Sequence, residues 1–237
     1  MDAAATRLAE FRGASGDPLP LRLYYPAGHS DPPPVVVIVG GYADPGYCQF
    51  LGCSFMDIEA CITLAQLIAA SGMVAVTYAN REPANDLRAL LAYLRSASGQ
   101  LGVDGRRIGL WGMSGSGPVA LGESHSATCT VLSNAYTCDL DGATHVADAA
   151  RTFKFDVPAD CVFPPGPMFV IRSGQDEMPG LNASLDRFVA HALAQNAPLT
   201  LVNHPDATHS FDLFHDSDLT RQILRDALVF LVGTLGR

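Results

Sequence analysis

Residues 107–118 read RIGLWGMSGSGP, a short apolar segment that runs directly into a turn rich in glycine and serine. The apolar segment predicts a strand, and the small residues predict a sharp turn into a helix that begins near Pro118. Ser114 stands at this turn, with Gly112 two residues before it and Ser116 two residues after it. Both flanking residues must be small because the backbone doubles back there, as in a nucleophile elbow. We therefore predict that Ser114 is a nucleophile.

Ser116 is the alternative nucleophile in the same turn. Its own flanking residues would be Ser114 and Pro118, and the proline fits better as an early residue of the following helix. The elbow pattern has glycine at the position that Ser116 occupies. Serine is still small enough to keep the turn, so the sequence favours Ser114.

Apolar segments alternate with helical segments from residue 35 to the end of the chain. Their nearly continuous apolar character is typical of a parallel sheet that is buried on both faces. The predicted strands are residues 35–41, 73–79, 107–113, 127–136, 168–174 and 199–205, and the predicted helices between and after them are residues 56–72, 83–99, 180–196 and 218–236.

Two further regions frame this alternation. Residues 6–13 and 18–27 flank the turn ASGD and predict an antiparallel hairpin on the sheet edge. Residues 137–167, which are rich in Asp and Pro, predict a small cap that crosses the carboxyl edge of the sheet. The fold class is therefore α/β, with one domain over residues 1–237.

A catalytic base is expected after the last strand, because sites in open parallel sheets lie beyond the carboxyl ends of the strands. His209 lies in the loop that follows residues 199–205, and Phe211 could anchor that loop in the core. We predict His209 as the base because it can fold back toward Ser114. His204 ends the strand itself and is expected to be satisfied by the backbone.

The acid that orients the base should lie between the nucleophile and the base in the chain. Asp176 comes directly after residues 168–174, with Glu177 beside it, and Asp176 is the predicted acid. The alternative acids are Asp139, Asp141 and Asp206, and each of them could equally be a solvated loop residue.

Two backbone N–H groups are expected to stabilise the negative charge on an attacked carbonyl oxygen. One belongs to Gly115, directly after the predicted nucleophile. The other should come from the loop after residues 35–41, which places it at Tyr42, or at Gly41 in a shifted register.

The segments VVVIVGGY, RIGLWGMSGSG, VIRSGQDEMPGLN and VNHPDATHSF resemble the α/β-hydrolase superfamily, and within it the dienelactone-hydrolase-like group. The resemblance covers essentially residues 20–237. It implies an eight-stranded, mostly parallel sheet, no cofactor, and a catalytic triad at Ser114, Asp176 and His209. Dienelactone hydrolases carry a cysteine nucleophile where this chain has Ser114, so the resemblance does not carry the dienelactone substrate over to this chain.

Composition narrows the possible partners. The chain has 48% hydrophobic and 16% charged residues and a formal net charge of −9. This composition excludes a disordered chain, and the negative charge argues against nucleic acid and anionic membrane surfaces as partners.

The first residues are charged where a secretory signal needs an apolar segment, and no apolar run is long enough for a membrane span. We therefore expect a soluble, cytoplasmic protein.

No cysteine forms a CxxC pair, and a chain with its own core needs no disulfides. We therefore expect six free thiols and no zinc site. The histidines His204, His209 and His215 match no familiar metal-ligand spacing, so no metal is expected either. The cysteines are Cys48, Cys53, Cys61, Cys129, Cys138 and Cys161.

These patterns predict a serine hydrolase that cleaves a small or medium carboxylic ester or lactone through an acyl-enzyme. The alternatives are an acyltransferase that uses the same triad and a binding module without turnover.

Arg81 and Glu82 could bind a polar substrate group or form a salt-bridged rim. The sequence carries no information on oligomeric state. Residues that could line an apolar acyl pocket, or belong to the core, are Tyr42, Tyr47, Phe50, Phe55 and Met113.

Overall fold

The apolar segments form the strands of one sheet. The computed structural model describes residues 5–28, 31–138, 140, 145–157, 163 and 165–236. Within these residues the strands are β1 (Ala5–Arg12), β2 (Pro18–Tyr25), β3 (Pro34–Ile38), β4 (Val74–Tyr78), β5 (Asp104–Ser114), β6 (Cys129–Ala135), β7 (Met168–Ser173) and β8 (Leu199–His204).

Helices connect most of these strands. Short 3₁₀ turns lie at Phe55–Asp57 and Ser124–Ser126. The α-helices of the described residues are α1 (Asp44–Leu51), α2 (Glu59–Ala70), α3 (Pro83–Ser96), α4 (Ser98–Leu101), α5 (Gly117–Gly122), α6 (Val146–Phe153), α7 (Leu181–Ala194), α8 (Phe211–Phe214) and α9 (Asp218–Leu235).

The sheet has eight strands in the order β1-β2-β4-β3-β5-β6-β7-β8. β1 pairs with β2 and β2 with β4 in antiparallel register, which confirms the predicted hairpin at the sheet edge. The other pairs, from β4 through β3 to β8, are parallel. The prediction of a mostly parallel α/β sheet is therefore confirmed, and β5 lies near its centre.

The two faces of the sheet bury separate clusters, because successive side chains of a strand point to opposite faces. On β3, Val35 and Val37 belong to one cluster with the leucines of α3 and with Phe188 of α7. Val36 and Ile38 belong to the other, with residues of α2 and α9. The outermost strand β8 departs from the expectation of burial on both faces, since Leu201 on it is 43% exposed.

Part of the predicted cap, residues 137–167, lies outside the described residues. Its described part includes α6 and the residues after it, where Phe155 stacks on Tyr136 with ring centroids 4.9 Å apart. This part lies against Tyr136, directly after β6, and whether residues 137–167 form a cap remains a prediction. Asp139 and Asp141, the alternative acids, fall outside the described residues, and whether residues 1–237 form a single domain remains a prediction.

The prediction of six free thiols is wrong for Cys138. This cysteine is in a disulfide, whose partner lies outside the described residues. Cys48, Cys53, Cys61 and Cys129 are free. The spacing of cysteines along a chain does not reveal which of them the fold brings together, so this bond could not be predicted from the sequence. None of the described helices is both long and apolar enough to cross a membrane.

Candidate active site

Ser114 ends β5 in a strained backbone conformation. Its φ is 49°, in the left-handed region that non-glycine residues rarely adopt. The pairing register with β6 shifts between Met113 and Ser114, and the Ser116 N–H donates to the Met113 carbonyl oxygen at 2.8 Å. The strand therefore turns sharply into α5 and leaves the Ser114 side chain at the carboxyl edge of the sheet, as the elbow pattern predicts.

The position that requires glycine in this turn is one residue later than the pattern suggests. A Cβ on Gly117 would collide with the Tyr136 carbonyl oxygen and lie 2.8 Å from the Ala135 Cβ. Ser116 itself has an ordinary helical conformation, with φ −83° and ψ −12°. A serine therefore fits at residue 116 because the close backbone contact falls on Gly117.

Three side chains from different parts of the chain meet at this edge. The Ser114 Oγ lies 2.9 Å from the His209 Nε2, and the His209 Nδ1 lies 2.8 Å from the Asp176 Oδ2. The other oxygen of the Asp176 carboxylate accepts the Met178 N–H at 3.0 Å. The Asp176 side chain is fully buried and that of His209 is 23% exposed. β5, β7 and β8 deliver the three residues together because parallel strands share one carboxyl edge.

Asn134 at the end of β6 holds the loop that carries His209. Both Asn134 and Ser210 have positive φ, at 39° and 55°. With its amide oriented to satisfy its neighbours, the Asn134 Oδ1 accepts the Ser210 N–H at 2.8 Å, and its nitrogen donates to the Ser133 carbonyl oxygen. Asn134 was not predicted as a site residue from the sequence. The available signal was a polar residue at the end of a buried strand, in the segment VLSNAY.

The histidine that ends the last strand and one alternative acid lie in other surroundings. His204 is 1% exposed, its Nε2 lies 3.1 Å from the Thr220 Oγ1, and burial lowers its pKa. Asp206 makes none of the contacts that Asp176 makes with His209. A further acid near the site is Asp212. Burial raises its pKa, and a backbone hydrogen bond and the nearby His209 partly offset this effect.

The loop after β3 packs directly against the elbow. The Gly40 N–H donates to the Tyr78 hydroxyl at 3.4 Å, and the Gly41 N–H donates to the Tyr47 hydroxyl at 3.2 Å. By contrast, the N–H groups of Tyr42 and Gly115 donate to no acceptor among the described residues. The Tyr42 N–H is therefore free to bind a ligand, whereas the Gly41 N–H is already hydrogen-bonded.

Gly41 has no room for a side chain, which yields a first testable prediction. A Cβ there would collide with the Gly115 carbonyl group and lie 2.6 Å from the Ser116 Cα. These are backbone atoms, so Gly41→Ala must move the loop away from the elbow. We expect Gly41→Ala to lower kcat/KM for an activated ester by about 100-fold, the usual effect of a displacement near 1 Å.

The matched control for Gly41→Ala is Gly46→Ala in α1, where a Cβ would meet nothing within 4 Å. This control should keep its activity and its melting temperature. Activity of Gly41→Ala within threefold of the unmodified protein would contradict the close packing of the loop on the elbow.

Aromatic side chains cover the elbow on the side of α6. At Gly115, the position that a Cβ would take lies 2.6 Å from the Tyr42 hydroxyl and 2.9 Å from the ring of Phe155. The rings of Tyr42 and Phe155 meet edge to face, with centroids 6.1 Å apart. Burial raises the pKa of Tyr42, so its phenol is neutral. These two rings form a wall directly beside Ser114.

The other residues considered for an acyl pocket have different positions. Tyr47 and Phe55 are core residues, at 8% and 2% exposure, whereas Phe50 is 65% exposed. Arg81 pairs with Asp17 in an exposed salt bridge. This contact agrees with the second of the two roles considered for Arg81, a salt-bridged rim. Among the described residues no group of three or more His, Cys, Asp or Glu side chains could hold a metal ion.

Solved structures share this architecture, and the chain has the α/β-hydrolase fold. A bacterial heroin esterase superposes with a TM-score of 0.73 at 17% identity, covering 99% of this chain and 85% of that one. An esterase from Mycobacterium marinum gives 0.74 at 19% identity, with 98% and 82% covered. A thermostable esterase from Pseudomonas putida gives 0.75 at 18% identity, with 99% and 84% covered. No protein-family model and no curated protein matches the sequence.

Proposed function

We propose that this chain is a serine hydrolase that cleaves a small or medium carboxylic ester or lactone. The observation that carries the proposal is the line of hydrogen bonds from the Ser114 Oγ to His209 and from His209 to the buried Asp176, at 2.9 and 2.8 Å. A hydroxyl, an imidazole and a carboxylate in this arrangement form an activated nucleophile. The structural neighbours described above as esterases support the same reaction class.

In the proposed reaction the Ser114 Oγ attacks the ester carbonyl carbon while its proton passes to the His209 Nε2. The tetrahedral intermediate carries its negative charge on the former carbonyl oxygen. His209 then returns the proton to the leaving alcohol, and the C–O bond to that alcohol breaks. The remaining acyl-enzyme is hydrolysed when His209 takes a proton from water and the water oxygen attacks the acyl carbon. His209 then returns this proton to the Ser114 Oγ as the bond between Oγ and the acyl carbon breaks, which releases the carboxylic acid and restores the enzyme. Asp176 stabilises the imidazolium in both halves of the reaction.

For the oxyanion hole we propose the N–H groups of Gly115 and Tyr42. Both lack an acceptor among the described residues, and preorganised donors of this kind stabilise the developing charge. The Gly41 N–H is the less suitable donor because it already binds the Tyr47 hydroxyl. The dienelactone-hydrolase-like affiliation remains part of this proposal and rests on the sequence segments alone.

The experiment that tests the function uses two assays. A fluorophosphonate probe should label Ser114, as identified by peptide mass spectrometry, and a panel of p-nitrophenyl esters and lactones should be hydrolysed. A binding module without turnover would give no labelling and no hydrolysis. An acyltransferase would release ester product instead of free acid when an alcohol acceptor is added.

The wall of Tyr42 and Phe155 beside the elbow yields a prediction on substrate size. We infer that Phe155 limits the acyl chain, because its ring fills the space next to Gly115. Each methylene that a substrate buries contributes about 0.8 kcal/mol, so Phe155→Leu and Phe155→Ala should shift the preferred p-nitrophenyl ester toward longer chains. Burial of roughly two of the four additional methylenes of hexanoate in the space that is freed would raise the ratio of kcat/KM for hexanoate to that for acetate by about tenfold.

The control for this prediction is Phe230→Leu. Phe230 lies on α9 and packs on Phe169 at 5.5 Å, away from the carboxyl edge. The Phe230→Leu variant should leave the preference for acyl chain length unchanged. An unaltered profile in both Phe155 variants would show that the acyl group binds elsewhere.

Cytoplasmic location remains a prediction from the sequence. The disulfide at Cys138 argues against it, since disulfides are rare in reducing compartments. Thiol alkylation of protein taken directly from its native host, followed by mass spectrometry, would show whether Cys138 is oxidised there.

A further inference from the structure

Asn134 is an extra residue in β6, directly beside the elbow. Met113 pairs with Ser133 and Ser114 pairs with Ala135, so Asn134 has no partner on β5 and forms a bulge. Its φ is 39°, and it is 1% exposed in a strand that is buried along its whole length. Burying a polar group and straining its backbone both cost free energy, and such residues concentrate at functional sites.

The Asn134 amide reaches from β6 to the loop that carries the proposed base. One end of the amide lies 2.8 Å from the Ser210 backbone nitrogen, and the other end faces the Ser133 carbonyl oxygen and lies 3.0 Å from the Ser133 Oγ. A backbone N–H only donates and a carbonyl oxygen only accepts. Both neighbours therefore require the same orientation of the amide, with Oδ1 toward Ser210, and the side chain is a bridge between β6 and the residue after His209.

This bridge holds the backbone of His209. The Ser210 N–H belongs to the planar peptide unit that begins at the His209 carbonyl carbon, so the contact lies one peptide unit from the His209 Cα. Asp176 contacts only the ring of His209, at Nδ1. The neighbouring anchors of the loop are the Ala207 carbonyl oxygen, which accepts an N–H from the loop after β7 at 2.8 Å, and Phe211, which is fully buried.

The same bridge is tied to the proposed nucleophile. The Ser114 carbonyl oxygen accepts the Tyr136 N–H at 3.0 Å, so the residues that follow Asn134 fix the backbone of the elbow. Ser114, Asn134 and Ser210 are three of the six described non-glycine residues with positive φ. Strained conformations persist only where surrounding contacts hold them, and here one set of contacts joins all three.

We propose that Asn134 is a positioning residue that sets the distance between the Ser114 Oγ and the His209 Nε2. The inference rests on the proposed hydrolase function and extends it to a residue that acts only through the His209 loop. Proton transfer from Ser114 to His209 requires hydrogen-bond contact, which is 2.9 Å in the structure. Loss of the bridge should therefore lower kcat and leave KM nearly unchanged, because this proton transfer belongs to the reaction and not to substrate binding.

The test begins with two substitutions that remove the amide, assayed with p-nitrophenyl acetate. Asn134→Gly tolerates the positive φ, whereas Asn134→Ala is strained there. We expect both to lower kcat equally, by about 10- to 100-fold, with KM within about twofold, although Asn134→Ala should melt at a lower temperature. The rate of fluorophosphonate labelling should fall by the same factor as kcat, because it needs the same activation of Ser114.

Asn134→Asp is the conservative variant, because it keeps an oxygen that can accept the Ser210 N–H. Its kcat should be about three- to tenfold higher than that of Asn134→Gly, the usual contribution of one hydrogen bond. The comparison is made at the plateau of each pH profile, since the added carboxylate raises the pKa of His209.

The matched controls are Asn196→Gly and Asn196→Ala. Asn196 also has a positive φ, 55°, but it is exposed and follows α7, at the opposite end of β8 from His209. These controls should reproduce the difference in melting temperature between glycine and alanine and leave kcat and the labelling rate unchanged.

Fluorophosphonate labelling of Ser114 separates this inference from the function on which it rests. Unmodified protein that is neither labelled nor active overturns the proposed function and this inference with it. With active protein, this inference alone is overturned if Asn134→Gly keeps kcat within about threefold, if its KM rises as much as kcat falls, or if Asn134→Asp is no more active than Asn134→Gly. If Asn134→Ala does not fold, Asn134→Gly carries the same test, since glycine adopts the positive φ without strain.

Discussion

We expect Ser114→Ala to lower kcat for a p-nitrophenyl ester by on the order of 10⁶-fold, the loss seen when the nucleophile of a triad is removed. The remaining activity would come from the oxyanion hole and from substrate binding, which do not need the hydroxyl. The loss should fall on kcat and not on KM, because the Ser114 Oγ forms its bond to the substrate only during the reaction. Steady-state kinetics and loss of fluorophosphonate labelling would measure this effect.

The backbone at residue 114 requires a second variant as a control. Ser114 has a φ of 49°, and alanine is strained in that region whereas glycine is not. Ser114→Gly should therefore lose activity to the same extent and have a melting temperature no lower than that of Ser114→Ala. Ser116 is intact in both variants. Persistent labelling and turnover in either variant would identify Ser116 as the nucleophile and contradict the assignment to Ser114.

The second large effect is expected for Asp176→Asn, which should lower kcat by about 10⁴-fold. Asparagine keeps the shape of the side chain, and its oxygen can still accept the Met178 N–H, which Asp176 accepts at 3.0 Å. Its amide nitrogen would take the place of the Asp176 Oδ2, which lies 2.8 Å from the His209 Nδ1. This nitrogen would donate a hydrogen bond to Nδ1. His209 would then carry its proton on Nε2 and could not accept the proton of Ser114.

Glu177→Gln is the matched control, since Glu177 is the exposed neighbour of Asp176 in the chain. It removes one negative charge from the same loop and should leave kcat within about twofold, as is usual for an exposed charge. The KM of Asp176→Asn should stay near that of the unmodified protein. Equal losses in the two variants would mean that the charge of the loop matters and not the contact with His209.

The sequence by itself predicted the sheet and the three residues that meet at its edge. Apolar segments with turn signals predicted the strands, because a strand buried on both faces must be apolar along its whole length. The chain order of Ser114, Asp176 and His209 then sufficed to place them together, since the carboxyl ends of parallel strands share one edge. Their catalytic roles remain a proposal. The hairpin of β1 and β2 was also predictable, because a turn and its strands are local.

Only the tertiary structure decided the contacts between residues that are distant in the chain. The sequence left open whether Tyr47 and Phe55 line a pocket or belong to the core; they are core residues, whereas Phe155 lies beside the elbow. The choice of Tyr42 over Gly41, the contact of Asn134 with Ser210 and the disulfide at Cys138 belong to the same group. Hydrophobic periodicity reports whether a side chain is buried and not which neighbour it meets. Those neighbours are set by how the loops pack across the sheet edge.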